Sequence, residues 1–165
     1  MTDRTLVLVR HAKATHPERV ADLERPLDPR GHADAEAAGA WLTAQRLLPD
    51  VVLCSPARRA RQTWHSLAAT LGEEATHTTV GYSPVVYRAS SGEELLDALR
   101  AAEPEAATLM MVGHNPTLSM LSSLLDPSAN EALRTCGIAV HRVPGAWRDL
   151  APGKAPRIAA HTARA

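Results

Sequence analysis

Phenylalanine is missing from this chain, and three Trp and two Tyr are its only large aromatics. A core without phenylalanine has to be filled by Leu, Val and Ala, and the abundance of Ala and Arg reads as a genomic composition bias. Two cysteines, Cys54 and Cys136, allow one disulfide at most and exclude a disulfide framework. Charge of either sign is not in excess, since Lys+Arg and Asp+Glu each number 18. No global field argues for nucleic acid or an anionic membrane as partner, so any cationic site must come from local clustering. Long hydrophobic runs are absent too. The run Leu6–Val9 is broken by Arg10 and is far too short for a signal peptide or a membrane span, which makes the cytoplasm the expected compartment. No Gly-x-x-x-x-Gly-Lys loop, Gly-x-Ser-x-Gly elbow, His-Glu-x-x-His or paired-Cys pattern occurs, and the eight His stand singly. Neither a metal nor an organic cofactor is therefore expected.

What is present is ordinary globular material. At 165 residues, with 45% hydrophobic and 22% charged residues, the chain is expected to form one domain over 1–165. Thr5–Val9, Asp50–Cys54 and Thr108–Val112 are apolar runs of the kind found in strands buried on both faces. Helices are predicted over Gly31–Leu47, from Ser55-Pro56 to Leu71 with Ser55 as cap and Pro56 at the first position, over Gly92–Ala101 behind a Ser91 cap, and over Thr117–Leu125. His77–Val80 and Pro84–Tyr87 are candidate short strands, and Cys136–Val143 and Arg157–His161 candidate later ones. His16–Pro29 reads as a surface loop. Strands alternating with helices predict an α/β fold, a three-layer α/β/α sandwich with a mostly parallel central sheet.

In such sheets ligands bind beyond the carboxyl ends of the strands. Three strands deliver suggestive residues there: Arg10-His11, then Ser55 with Arg58 and Arg59 behind it, then Gly113-His114. Phosphoryl transfer needs a nucleophile, positive charge around the equatorial oxygens and in-line geometry. A neutral imidazole, with an unperturbed pKa of about 6.5, is a competent nucleophile. Arginine offers a planar fork of two parallel donors that never loses its charge. Taken singly, each residue has a bland reading: a structural histidine after a strand, a solvated arginine face on a helix, a His-Asn-Pro turn. Their joint occurrence at strand ends is what points to a phosphoryl site.

These residues also resemble a known family. Leu8-Val9-Arg10-His11-Ala12 is similar to the Arg-His-Gly signature of the histidine phosphatase (phosphoglycerate mutase-like) superfamily. Ser55-Pro56-Ala57-Arg58-Arg59-Ala60-Arg61-Gln62-Thr63 resembles its Ser-Pro-x-x-Arg-Ala-x-Gln-Thr motif, and Val112-Gly113-His114-Asn115 its second-histidine motif. By that resemblance His11 is the phosphorylated histidine, Arg10 and Arg59 are phosphate-binding arginines, and His114 is the second histidine. Arg59 is preferred to Arg58 because Ala-x-Gln-Thr follows it. Arg10-His11-Ala12-Lys13-Ala14 with Glu24-Arg25-Pro26-Leu27-Asp28-Pro29-Arg30-Gly31 resembles the short bacterial phosphohistidine phosphatases of the SixA type, which makes Arg25 a third candidate for phosphate or substrate binding. Val86-Tyr87 and Ser90–Leu96 are similar to a further segment of that branch.

Ala12 stands where the superfamily usually has Gly, and no clear match exists for the acidic residue that larger members use as general acid. Glu93 and Glu94 lie near that region but suit a helix start better. A general acid typically contributes roughly 10²–10⁴-fold, so a site without one should prefer leaving groups that protonate easily. The phosphoramidate nitrogen of a phosphohistidine protein is such a group. A small phosphorylated molecule handled by a phosphatase or mutase is the alternative substrate, and a phosphoprotein-binding module on the same fold the non-enzymatic one. Cys136-x₅-Arg142 has the minimal spacing of a cysteine phosphatase, but its apolar middle reads as strand rather than as a phosphate cradle.

Overall fold

The computed structural model describes residues 3–165, and its central feature is one six-stranded sheet. The strands are β1 (Arg4–Arg10), β2 (Val51–Cys54), β3 (Thr79–Tyr82), β4 (Thr108–Gly113), β5 (Gly137–Val143) and β6 (Arg157–Thr162), and they lie in the order β3-β2-β4-β1-β5-β6. All neighbours pair in parallel except where β5 meets β1 and β6. The helices are α1 (Pro29–Ala44), α2 (Arg58–Leu71), α3 (Pro84–Arg88), α4 (Gly92–Arg100) and α5 (Thr117–Leu125).

The strands are apolar on both faces because both are covered. Val7, Val9, Val52, Met110 and Val112 pack against Leu42, Trp64 and Leu67 of α1 and α2. The alternate residues Leu6, Leu8, Leu109 and Met111 pack against Val86, Leu95, Leu99, Leu118 and Leu121 of α3, α4 and α5. Leu6, Val7, Leu8 and Val9 are each 0% exposed. The three-layer α/β/α sandwich expected from the sequence is what forms.

Four local expectations are corrected. Pro84–Tyr87 is not a strand but most of α3, with Pro84 at the first helical turn and Val86 alone fully buried. The strand position beside β2 is taken by Thr79–Tyr82, two residues later than His77–Val80. Proline's fixed φ suits a helix start, and this outweighs the β-branched composition of Val85-Val86. The helix after β2 starts at Arg58 rather than at Pro56, and Ser55 does not cap it. Helix α1 closes three residues before Leu47, because Arg46 turns to φ 58° and Leu47 N–H bonds the Leu42 carbonyl at 2.9 Å.

Candidate active site

The carboxyl ends of β2, β4 and β1 lie side by side, so three sequence-distant segments meet at one edge. Backbone bonds extend the ladder past the strand ends: His11 N–H to Gly113 O and Ser55 N–H to Val112 O, both 3.0 Å. Above them opens a cleft of about 510 Å³ lined by Arg10, His11, Arg25, Arg59 and His114 together with Lys13, Ala14, His16, Asn115 and Thr135. All five residues singled out from the sequence thus face one cavity. None of its lining residues is a carboxylate.

His11 is held through one ring nitrogen. Its Nδ1 lies 2.7 Å from the Ala12 carbonyl oxygen. A carbonyl can only accept, so Nδ1 carries the hydrogen and Nε2 presents the lone pair. Burial, above all, pushes the imidazole pKa down to about 3, with His114, Arg59 and Arg10 adding to the effect against the Ala12 bond. The ring is therefore neutral across the neutral range. His114 stands with its ring centroid 5.2 Å away, and burial followed by Arg59 lowers its pKa to about 4. Its Nε2 is 2.7 Å from Ser55 Oγ, and the ring of Tyr87 meets it edge-on at 5.6 Å.

Of the arginines, Arg10 is anchored in the same one-ended way. Arg10 donates from Nη1 to the Leu133 carbonyl at 3.0 Å, an acceptor it shares with Asn115 Nδ2 at 2.7 Å. Arg59 is only 6% exposed, whereas Arg58 is exposed at the start of α2. The Arg59 fork does not stand open: Nη1 donates to the Asp22 carbonyl at 2.7 Å and Nη2 to its carboxylate at 3.1 Å. Among the described residues three buried side-chain nitrogens are left without partners, namely Arg10 Nε, Arg59 Nε and His114 Nδ1. Buried donors are seldom orphaned without a reason, and a cleft that receives an anion supplies one. A tetrahedral oxyanion fits that donor set.

Asp22 is the residue the sequence reading missed. It sits in the 3₁₀ turn Asp22–Glu24 within the long loop after β1. Its carboxylate accepts from Arg59, from Arg25 Nη1 at 3.0 Å and from the Tyr87 hydroxyl at 2.8 Å. Tyr87, then Arg25 and Arg59, hold the carboxyl well below the usual range, and the same bond raises the Tyr87 phenol. Asp22 is therefore an ionised anchor and no proton donor. Arg25 also donates from Nε to the Thr15 carbonyl at 3.0 Å and from Nη2 to His16 Nε2 at 2.8 Å. An aspartate in a polar loop carries no periodic signal. Only its position three residues before Arg25 could have drawn notice.

The residues around Arg59 act as struts. Thr63, one helical turn on, accepts the Ala12 N–H at 2.9 Å and donates to the Arg59 carbonyl at 2.7 Å. Gln62 accepts the Leu27 N–H at 2.8 Å. Gly31 completes the loop's seat, because a Cβ there would fall on the Lys13 carbonyl oxygen. Glu93 and Glu94 do not line the cleft, and Glu94 accepts from Ser90 Oγ at 2.9 Å. Cys136 and Arg142 frame an extended strand rather than a cradle, and burial pushes the Cys136 thiol up to about 12.

The cleft is thus cationic, lies at the strand ends and is lined by two neutral histidines. The profile of the histidine phosphatase superfamily (branch 1) matches residues 6–80. A protein of Mycobacterium tuberculosis (strain ATCC 25618 / H37Rv), described as uncharacterized, is 37% identical over 166 residues, spanning 94% of this chain and 100% of its own. The chain belongs to the histidine phosphatase superfamily. More particularly, it is similar to the putative phosphohistidine phosphatase SixA from Nakamurella multipartitia, at 33% identity and a TM-score of 0.86 over 100% of this chain and 99% of that one. The mycobacterial glucosyl-3-phosphoglycerate phosphatase shares the fold at a TM-score of 0.68 over 95% of this chain and 98% of that one, at 17% identity. Among the described residues, no helix is long and apolar enough to cross a membrane.

Proposed function

We propose that this protein is a phosphatase that works through a phosphohistidine on His11 and acts on phosphohistidine in proteins. The observation that carries the reading is the donor set: three buried, unpartnered nitrogens beside a neutral imidazole whose Nε2 carries the lone pair. His11 Nε2 attacks phosphorus while the bond to the leaving nitrogen breaks, and that nitrogen takes its proton from water. Arg10 Nε, Arg59 Nε and His114 Nδ1 donate to the equatorial oxygens, where charge-assisted bonds are strongest. Water then attacks phosphorus, releasing inorganic phosphate and restoring His11. The charge comes from arginine, so the chemistry calls for no metal and EDTA should leave it untouched.

Two features favour a phosphoprotein. No carboxylate lines the cleft to protonate an alkoxide, and the likeness to the Nakamurella protein points the same way. Single-turnover quenching with a labelled phosphohistidine protein, a sugar phosphate and a nucleotide in parallel tests the proposal. The phosphohistidine protein should label fastest. The adduct should survive alkali, vanish in brief acid, map to the Val9–Lys13 peptide and be absent from His11→Ala. Faster turnover of the sugar phosphate would move the assignment to small esters. An acid-stable adduct, or label retained in His11→Ala, would remove His11 from the mechanism. No turnover of any of the three would leave a binding module.

A further inference from the structure

Ser55 belongs to the second sequence motif, yet neither phosphate binding nor helix capping uses it. It is 0% exposed at the end of β2. Its hydroxyl oxygen has two partners among the described residues: it accepts the Ala57 N–H at 3.1 Å and lies 2.7 Å from His114 Nε2. A second lone pair on the oxygen would also take an Nε2–H, but the fully buried hydroxyl hydrogen would then have no acceptor among the described residues; donated to His114 Nε2, it leaves neither group unsatisfied. A neutral imidazole has a single N–H. If Nε2 accepts, the hydrogen of His114 sits on Nδ1, the nitrogen that is buried without a partner.

We propose that Ser55 is a positioning residue that fixes His114 as its Nδ1–H tautomer, so that the neutral ring offers the phosphoryl group a donor. The opposite tautomer would turn a lone pair toward the phosphoryl oxygens and repel them. The selection matters because burial keeps this ring neutral. A permanently charged imidazolium would donate from both nitrogens and need no such control, whereas a neutral ring donates from one side only. His11 and His114 thereby share a tautomer and divide the work. The Ala12 carbonyl frees Nε2 of His11 for attack, and the Ser55 hydroxyl frees the Nδ1 hydrogen of His114 for donation.

The proposal rests on the phosphatase reading for its purpose but not for its test. Long-range ¹⁵N–¹H correlation spectra of the ligand-free, histidine-labelled protein at pH 7 report the protonated nitrogen of each ring, with His114 assigned by loss of its signals in His114→Gln. His114 should show a protonated Nδ1 and a bare Nε2. Ser55→Ala should move His114 toward a mixture while His11 keeps its Nδ1 hydrogen. In the same variant kcat should fall on the order of tenfold with KM nearly unchanged, since one aligned donor is compromised. Ser55→Thr, which retains the hydroxyl, should restore both the tautomer and the rate. A wild-type His114 protonated on Nε2 overturns the proposal, and so does a His114 tautomer indifferent to Ser55→Ala. An inert wild-type protein that nonetheless shows the Ser55-dependent tautomer would keep this assignment and remove the phosphatase reading instead.

Discussion

The floor of the cleft and its rim are built on different principles. Arg10, His11, Arg59 and His114 leave strand ends or the first turn of a helix that is packed on the sheet, and their loose ends are tied to backbone carbonyls, Ser55 or Asp22. Lys13, His16 and Arg25 ride on the loop after β1, whose 3₁₀ turn buries no residue at all. Lys13 has 59% of its side chain exposed, and its ion pair to Asp28 is a long 3.9 Å. The floor is preorganised by the core, whereas the rim is held by polar contacts with water close by. Transition-state stabilisation requires donors that need not reorganise. Recognition of a protein surface tolerates groups that do.

The largest effect should follow Arg59→Ala, which removes a buried charge-assisted donor and should lower kcat roughly 10²–10³-fold. Arg58→Ala, one residue earlier and exposed, should stay within a few-fold of wild type on the same assay. Equal losses at both would dissolve the distinction between buried floor and solvated face.

Asp22 joins the two regions, so it should cost less than a floor residue and more than a rim residue. Asp22→Asn keeps the carbonyl that holds Arg59 Nη1 but weakens the carboxylate bonds to Arg59, Arg25 and Tyr87. A fall in kcat/KM of about tenfold is expected, of the size of one strong hydrogen bond. An unchanged kcat/KM would show that Arg59 is placed by its helix alone. The carboxyl is held below its usual range, so its contribution to stability is complete above the ordinary carboxylate range and drains away as pH falls from there towards the folded value, while the folded carboxyl itself stays ionised well below that range. The clamp should therefore persist at pH 4.

The floor histidines lose stability in acid with the same sign, but in a higher pH window. Their folded pKa values, about 3 for His11 and about 4 for His114, lie below the roughly 6.5 of an unfolded histidine. Between those limits the unfolded chain binds more protons, so stability declines as pH drops from about 6.5. Urea melts at pH 7 and pH 5 should show that decline, and it should shrink in the variant His11→Gln. In the ligand-free protein the ring resonances of both histidines should stay in the neutral position down to pH 5. The smallest effects belong outside the cleft. Glu93→Gln and Glu94→Gln should leave turnover of an aryl phosphate within a few-fold, and larger losses would reveal a proton donor among them.

The same division explains what could be read from the sequence. The floor residues follow apolar runs whose length and composition announce buried strands, and the sheet then fixes where their ends lie. Arg10, His11 and His114 could be placed together from that alone, and Arg59 could be separated from Arg58 once the Ala-x-Gln-Thr spacing was recognised. Asp22 could not, because its role depends on a loop folding back over α2, which no periodicity encodes. Nor could the engagement of the Arg59 fork, since the residue that occupies it is 37 positions away. Ser55 was assigned to the wrong partner for a related reason. A serine before a proline suits a helix cap by its local signal, but His114, 59 residues on, competes for its hydroxyl. Pro84–Tyr87 failed locally, where β-branched composition and a helix-starting proline pointed in opposite directions.

The Thr63 strut has a mechanical consequence. One helix carries both Arg59, which lines the cleft, and the Thr63 hydroxyl that grips the amide next to His11. A drift of α2 therefore drags both sides of the cleft along together, and the span between them is set by a single helical turn rather than by two independent loops. The Ala12 amide should accordingly exchange its hydrogen with solvent only when α2 detaches from the sheet, on the slow timescale of global opening. The stretch of loop between Ala12 and Asp22, which α2 does not grip, can open more often than that amide.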